Sequence, residues 1–181
     1  KKVITVSEYE KERINKHFGF GDQRLTAIYN GVGEHFFKIT NAEQLEKVKE
    51  QYNLPERFFF FLGNTDPKKN TRGVLKAFAQ FNQNSPGTFK LVMLDYDEHE
   101  LQKLLAEIGA SDLRNSIHLT GYVPNTDLPA LISQCTVFLY PSLRESFGIP
   151  ILEGMACGVP VITSNTSSMP EVAGENTALM V

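Results

Sequence analysis

Phe58-Phe59-Phe60-Phe61-Leu62-Gly63-Asn64-Thr65-Asp66-Pro67-Lys68-Lys69-Asn70 is the stretch on which the fold turns. An unbroken apolar run of this length is too short for a helix. It reads as a strand buried on both faces, because a strand with one wet face would alternate. The glycine, proline and asparagine behind it make a loop, and residues 71–81 then repeat at helical spacing. The couplet recurs downstream. Short β-branched or aromatic runs at 89–94, 117–120, 137–140, 159–163 and 178–181 alternate with amphipathic stretches at 98–108, 126–135 and 149–156. This alternation predicts a doubly wound, Rossmann-like α/β fold with a parallel sheet, helices on both faces and right-handed crossovers. Ligands of such sheets bind beyond the carboxyl ends of the strands, so function belongs in the loops that follow them.

Upstream of this body lies a smaller unit. Residues 1–7 alternate like a strand, Ser7-Glu8-Tyr9-Glu10 has capping-box spacing, a helix follows over 8–18, and Gly19 and Gly21 stop it. A short strand at 25–29 ends in Asn30-Gly31-Val32-Gly33. Thr40-Asn41-Ala42-Glu43 is read as a second capping box, opening a polar helix to about Tyr52, and Pro55 marks the start of the main body. The sequence opens inside a strand with neither an initiator methionine nor a signal-peptide pattern, and closes on an apolar strand; it reads as a piece of a longer protein.

Composition narrows the partners. Among 181 residues, 18 lysines and arginines face 21 acidic residues for a net charge of −3, without long runs of either sign. A phosphate-backbone footprint is missing, so nucleic acid is disfavoured. Cys135 and Cys157 sit in apolar stretches and read as buried thiols in a reducing, cytoplasmic setting. No apolar run approaches the roughly 20 residues of a spanning helix.

The loop from Gly63 to Asn70 combines a glycine that lets a ligand approach the backbone, a helix start, and Lys68 and Lys69. These suit a diphosphate; a solvated turn with surface lysines accounts for them too. The Walker spacing Gly-x4-Gly-Lys-[Ser/Thr] is absent. Asp95-Tyr96-Asp97-Glu98 has carboxylates enough for a hard cation, but Asp97 is equally placed to cap the next helix. Gly121-Tyr122-Val123-Pro124 can support a flat ring while its backbone reads the edge, or can simply turn with Val123 facing the core.

The most informative segment is Ser142-Leu143-Arg144-Glu145-Ser146-Phe147-Gly148-Ile149-Pro150-Ile151-Leu152-Glu153. Pro150 suits the first helical position, placing Gly148 at the cap and Glu153 in the first turn. The N–H groups near Gly148, Ile149 and Ile151 then converge on an anion or a sugar oxygen. On one straight helix the two carboxylates would lie about 12 Å apart, beyond the roughly 5–9.5 Å of glycosidase pairs. They are expected to grip different parts of one extended ligand. Ser167-Ser168-Met169-Pro170-Glu171 can bring a helix N-terminus and Glu171 to the same rim, and a capped surface helix explains the stretch as well. The histidines lack metal-ligand spacing.

Taken in order, these motifs resemble glycosyltransferase family 4, retaining enzymes of the GT-B fold that use nucleotide sugars. Glu145 to Glu153 is similar to the family's E-x7-E motif with its Phe-Gly centre, preceded by Pro141-Ser142. Gly63 through Lys69-Asn70 resembles its phosphate loop, Gly121-Tyr122-Val123 its base-binding turn, and Pro170-Glu171-Val172-Ala173-Gly174 a later signature. The resemblance implies that residues 1–38 are the tail of an acceptor-side domain and the crossing from it, and that 39–181 bind the donor. It makes Glu145 the residue holding donor-sugar hydroxyls, helped by amides at Phe147 and Gly148, and Glu153 the one holding the ribose. Lys69 pairs with the diphosphate, and Gly63, Asn64, Lys68, Tyr122, Val123, Ser142 and Ile149 complete the donor site. The implied reaction moves a sugar from a nucleoside diphosphate sugar, GDP-mannose first, to a glycan or lipid-linked acceptor in surface polysaccharide synthesis. No metal or other cofactor is implied. Acceptor and any contact with the inner face of a membrane belong to the N-terminal half, without which the chain is expected to be inactive.

Two positions depart from the family pattern. Asn64 stands where many members have arginine, leaving phosphate charge to Lys68 and Lys69. Asp95 stands where many have glycine, and a carboxylate there repels a diphosphate. Both departures also fit a non-catalytic nucleotide-binding module. A GT-B nucleotide-sugar epimerase is a further alternative, against which the E-x7-E segment counts.

Overall fold

Ser7 opens the first helix by accepting the Glu10 amide proton at 3.1 Å, and Gly19, at φ 64°, closes it. The computed structural model describes residues 1–175 and 177–181. This helix, α1 (Glu8–Phe18), joins β1 (Val3–Thr5) to β2 (Leu25–Ala27), which pair in parallel as a two-stranded sheet. The reciprocal arm of the expected capping box is not made. The Glu10 carboxylate turns to Arg13 instead, 3.0 Å away, because a charged partner outbids an amide.

The second helix, α2 (Ala42–Gln51), is capped by Asn41, which accepts from Gln44 at 2.9 Å. The sequence reading placed that cap one residue earlier, at Thr40. Asparagine is the stronger cap, and its side-chain oxygen takes the amide of Gln44, the third helical residue.

The main sheet runs β5 (Ile117–Leu119), β4 (Lys90–Met93), β3 (Phe58–Phe61), β6 (Val137–Tyr140), β7 (Val161–Thr163), β8 (Leu179–Met180), every pair parallel. Successive phenylalanines of β3 point to opposite faces. Phe58 and Phe60 join one core with α5 (Leu128–Gln134), α6 (Ile149–Ala156) and α7 (Met169–Ala173), while Phe61 joins another with α3 (Thr71–Asn84) and α4 (Glu98–Glu107). This two-sided burial is why the run is unbroken. Phe58, Phe60 and Phe61 are at most 1% exposed, so truncating any one to alanine should cost about 3–5 kcal/mol.

The order of the strands sets the position of the site. From β3 the chain moves outward through β4 to β5, then α5 carries it back across the sheet to β6 on the other side of β3. The loops after β3 and β6 therefore diverge from a topological switch point. Among the described residues no helix is long and apolar enough to cross a membrane.

Candidate functional site

Two loops meet at the switch point. The loop after β3 tightens into a 3₁₀ turn, Pro67–Lys69, where Asp66 accepts from Lys68 at 3.0 Å, and Asn70 takes a left-handed conformation at φ 59° before α3. The loop after β6 is stitched to it. Leu143 donates its amide to the Lys68 carbonyl at 2.7 Å, and the Asn70 side chain donates to the Pro141 carbonyl at 3.1 Å.

That stitching brings Lys69 against Glu145. The ammonium donates to the Glu145 carboxylate at 2.6 Å and to the Tyr140 hydroxyl at 2.9 Å, and lies 4.9 Å from the Tyr140 ring centre. Both charged side chains are mostly covered, 18% and 15% exposed, so their attraction is less screened than at a surface. Burial pushes the Tyr140 phenol well above its ordinary range, and the negative charge of Glu145 pushes it further. Tyr140 is therefore a neutral hydroxyl beside a fixed ion pair.

A cavity of about 290 Å³ opens beside the pair, lined by Leu62, Gly63, Asn64, Lys69, Leu94, Asp95, Tyr140 and Pro150. Gly63, Asn64 and Lys69 thus reach it, and so does Asp95, held at φ 44° with its amide donating to the Gly121 carbonyl at 3.0 Å. A larger cavity of about 540 Å³, almost wholly apolar, lies between α3 and the β6–β7 face, and none of the candidate site residues lines it. Of the two, the smaller one holds charged side chains, Lys69 and Asp95, and is the candidate site.

The other candidate residues fall into distinct places. Lys68, on the same 3₁₀ turn as Lys69, pairs with Asp66 at 3.1 Å. Tyr122 is 73% exposed while Val123 is buried in the core, so the side chain of the second packs and that of the first is free for a ligand. Ser142 is buried, its carbonyl accepting from the Ser164 hydroxyl. Ile149 is half-buried at the start of α6. Glu153 is half-buried, and burial pushes its carboxyl above the usual carboxylate range.

Three details of the α6 start differ from expectation. Gly148, at φ 104°, is the cap, so Ile149 is the first helical residue and Pro150 the second, which places Glu153 beyond the first turn. The Ile151 amide is already donated to the Gly148 carbonyl at 3.0 Å and cannot serve a ligand. Among the described residues the amides of Phe147 and Gly148 have no acceptor. Gly63 also has a reason beyond ligand approach: a Cβ there would lie 2.1 Å from the buried Phe61 ring.

Several residues around the site were not legible as part of it. Ser167 and Ser168 bond to the backbone of Glu145, and Ser7, from the N-terminal unit, donates to the Ser146 carbonyl at 2.7 Å. The Glu171 carboxylate accepts the amides of Glu8 and Tyr9 at 2.7 and 3.1 Å, capping α1 from across the molecule. Burial pushes Glu171 upward, but the Tyr29 hydroxyl and those two amides outweigh it and hold the carboxyl below its usual range. Tyr29 in turn lies 5.8 Å from the Phe147 ring. The stretch read as reaching the rim does so through Ser167 and Ser168, while Glu171 is spent on the start of α1 instead. Among the described residues no cluster of three metal-ligating side chains occurs.

A parallel sheet with charged loops at its switch point is the architecture of GT-B glycosyltransferases. HepE of Anabaena, solved with UDP and glucose, superposes with a TM-score of 0.82 at 22% identity, over 99% of this chain and 49% of that one. A Rickettsia africae glycosyltransferase gives 0.83 at 23%, over 100% and 49%. The chain belongs to the family of glycosyl transferases group 1, whose pattern spans residues 42–180. It is 33% identical over 176 residues to O-antigen chain mannosyltransferase B of Escherichia coli, covering 97% of this chain and 46% of that protein. It is 30% identical over 182 residues to the serotype-specific mannosyltransferase WbdA of the same species, covering 98% and 22%. The chain thus spans half or less of the curated relatives it matches.

Proposed function

We propose that the chain is the donor-binding half of a retaining family 4 glycosyltransferase that moves mannose from GDP-mannose to a glycan or lipid-linked acceptor during surface polysaccharide assembly. The observation that carries this reading is the Lys69–Glu145 pair at the switch point, on whose loop the amides of Phe147 and Gly148 donate to no acceptor among the described residues. One positive and one negative group held together suit a ligand that is itself divided into an anionic diphosphate and a neutral, hydroxyl-rich sugar. Lys69 meets the diphosphate and stabilises charge growing on the leaving nucleotide. Glu145 accepts from sugar hydroxyls, and the two amides donate to them. Glu153 accepts from the ribose, and the exposed Tyr122 offers a face to the base. The cation for the diphosphate is then a lysine, with Lys68 close by, and the reading calls for no metal. The mannosyltransferase relatives support mannose as the sugar and surface polysaccharide as the product. A lipid-linked acceptor would bring the whole protein to the inner face of the membrane.

Titration of the chain with UDP, GDP and ADP, followed by thermal shift and calorimetry, tests this, because a ligand of the folded state alone raises its apparent stability. GDP is expected to stabilise, and Lys69→Ala and Glu153→Ala to remove the effect. Stabilisation by none of the three would overturn the reading; stabilisation by UDP alone would overturn the choice of donor.

A further inference from the structure

The loop from Pro141 to Gly148 is held largely by side chains. The Asn70 amide serves the Pro141 carbonyl, Ser164 bonds that of Ser142, Ser7 that of Ser146, and the consecutive Ser167 and Ser168 converge on that of Glu145. Ser168 is fully buried, its hydroxyl shared between the carbonyls of Glu145 at 2.9 Å and Phe147 at 2.8 Å. Ser167 closes a ring with a single residue, donating to the Glu145 carbonyl while accepting the Glu145 amide proton at 3.1 Å. It does so at φ 60°, a region that a residue bearing a Cβ enters only at a cost.

We infer that Ser167 and Ser168 are positioning residues for the donor sugar: they fix the backbone of Glu145 and Phe147 so that the carboxylate and the free amides meet the sugar in one geometry. The inference rests on the donor reading above. The carbonyls of Glu145, Ser146 and Phe147 are each occupied, while among the described residues the amides of Phe147 and Gly148 donate to no protein acceptor and are left for a ligand. A hydroxyl that holds both the N–H and the C=O of one residue fixes that residue's plane, and with it the direction of the side chain. Pre-set donors and acceptors act on a bound sugar without reorganising. The nucleotide end of the ligand, gripped by Lys69 and Glu153 from other elements, does not depend on this turn in the same degree.

Ser167→Gly gives the cleanest test. Glycine adopts φ 60° without strain, so the variant keeps the fold while losing the hydroxyl; Ser168→Ala is the second variant. Two measurements are made on each. Hydrogen exchange at the Glu145 amide should quicken about tenfold, with the β3, β4 and β6 amides unchanged. The ratio of GDP-mannose affinity to GDP affinity should fall about tenfold, because only the sugar contacts loosen. In the full-length enzyme the donor KM should rise while Ser167→Gly leaves the thermal midpoint at or above wild type. Equal weakening of GDP and GDP-mannose, or an unchanged ratio in both variants, overturns the inference and leaves the donor reading intact. A wild-type chain that binds neither ligand overturns the donor reading, and this inference with it.

Discussion

Lys69→Met, Glu145→Gln and the double variant test the ion pair at the switch point in isolation from any ligand. At 2.6 Å and an effective dielectric constant near 20, two unit charges attract by about 6 kcal/mol. Most of this is offset by the water both groups gave up on burial, and the residual exposure of 18% and 15% screens part of the remainder. A net coupling of about 1–3 kcal/mol follows. Each single variant leaves a covered charge without its partner, and is expected to lose about 2–3 kcal/mol. The double variant replaces both charges and should lose less than the sum, by the coupling energy. In Lys69→Met the Tyr140 hydroxyl can donate to Glu145, and in Glu145→Gln it can accept from Lys69, so the two single variants should lose similar amounts. Urea unfolding of the four proteins, followed by far-ultraviolet circular dichroism, measures this. With a slope of about 2 kcal/mol per molar, the singles should shift the midpoint by roughly 1 M. Additive losses, within about 0.5 kcal/mol, would refute the claim that the two groups are energetically paired; they would then be neighbours held apart by solvent.

Other outcomes follow from the same geometry. Gly63→Ala drives a methyl group into the Phe61 ring and should cost about 1–3 kcal/mol, or a few degrees per kcal/mol in thermal midpoint, whether or not nucleotide is present. Glu153→Gln should stabilise the chain at neutral pH while weakening nucleotide binding. Its carboxyl is raised on folding, so the native state is favoured below the unfolded-state value and loses that advantage as pH rises through the folded one. The difference between variant and wild type in a thermal scan should therefore vanish in acid. Glu171 has the opposite sign. Its depressed carboxyl contributes above the unfolded-state value and is lost as pH falls through the folded one, so hydrogen exchange in α1 should accelerate in acid before the main sheet opens. Burial raises Cys135 to about 12 and Cys157 to about 11, so a thiol reagent at pH 7.5 should find neither until the chain is denatured.

Local chemistry was legible; tertiary chemistry was not. α1 and α6 begin and end where their caps dictate, and β6 coincides with its apolar run, because a cap or an alternation is complete within a few residues. The Phe58–Phe61 run gave the sheet its centre, and the fold class followed. Errors were of one residue where two caps competed, as at Thr40 and Asn41, or where a proline suits either of the first two helical positions, as at Pro150. The Glu145 segment and Lys69 stood out as chemistry before it was clear that they touch, since 76 residues separate them. Nothing in a serine announces that its hydroxyl will be spent on a distant carbonyl. Ser7, Ser164, Ser167 and Ser168 became part of the site only when the chain returned to the same loop from three directions.

The bond from Ser7 to Ser146, and the grip of Glu171 on the first amides of α1, bear on how such proteins can be recombined. Residues 7 to 29 precede the boundary expected near residue 39, yet they brace the turn that carries Glu145. A chimera joined at residue 39 would graft a sheet, a lysine and a glutamate onto a foreign scaffold while leaving one of the turn's hydroxyl donors and the partner of Glu171 behind. A transplant that carries the first 29 residues along keeps them. On the donor reading proposed above, exchange of donor preference between homologues should succeed most often when the junction falls ahead of Val3, so that these residues travel with the turn they brace.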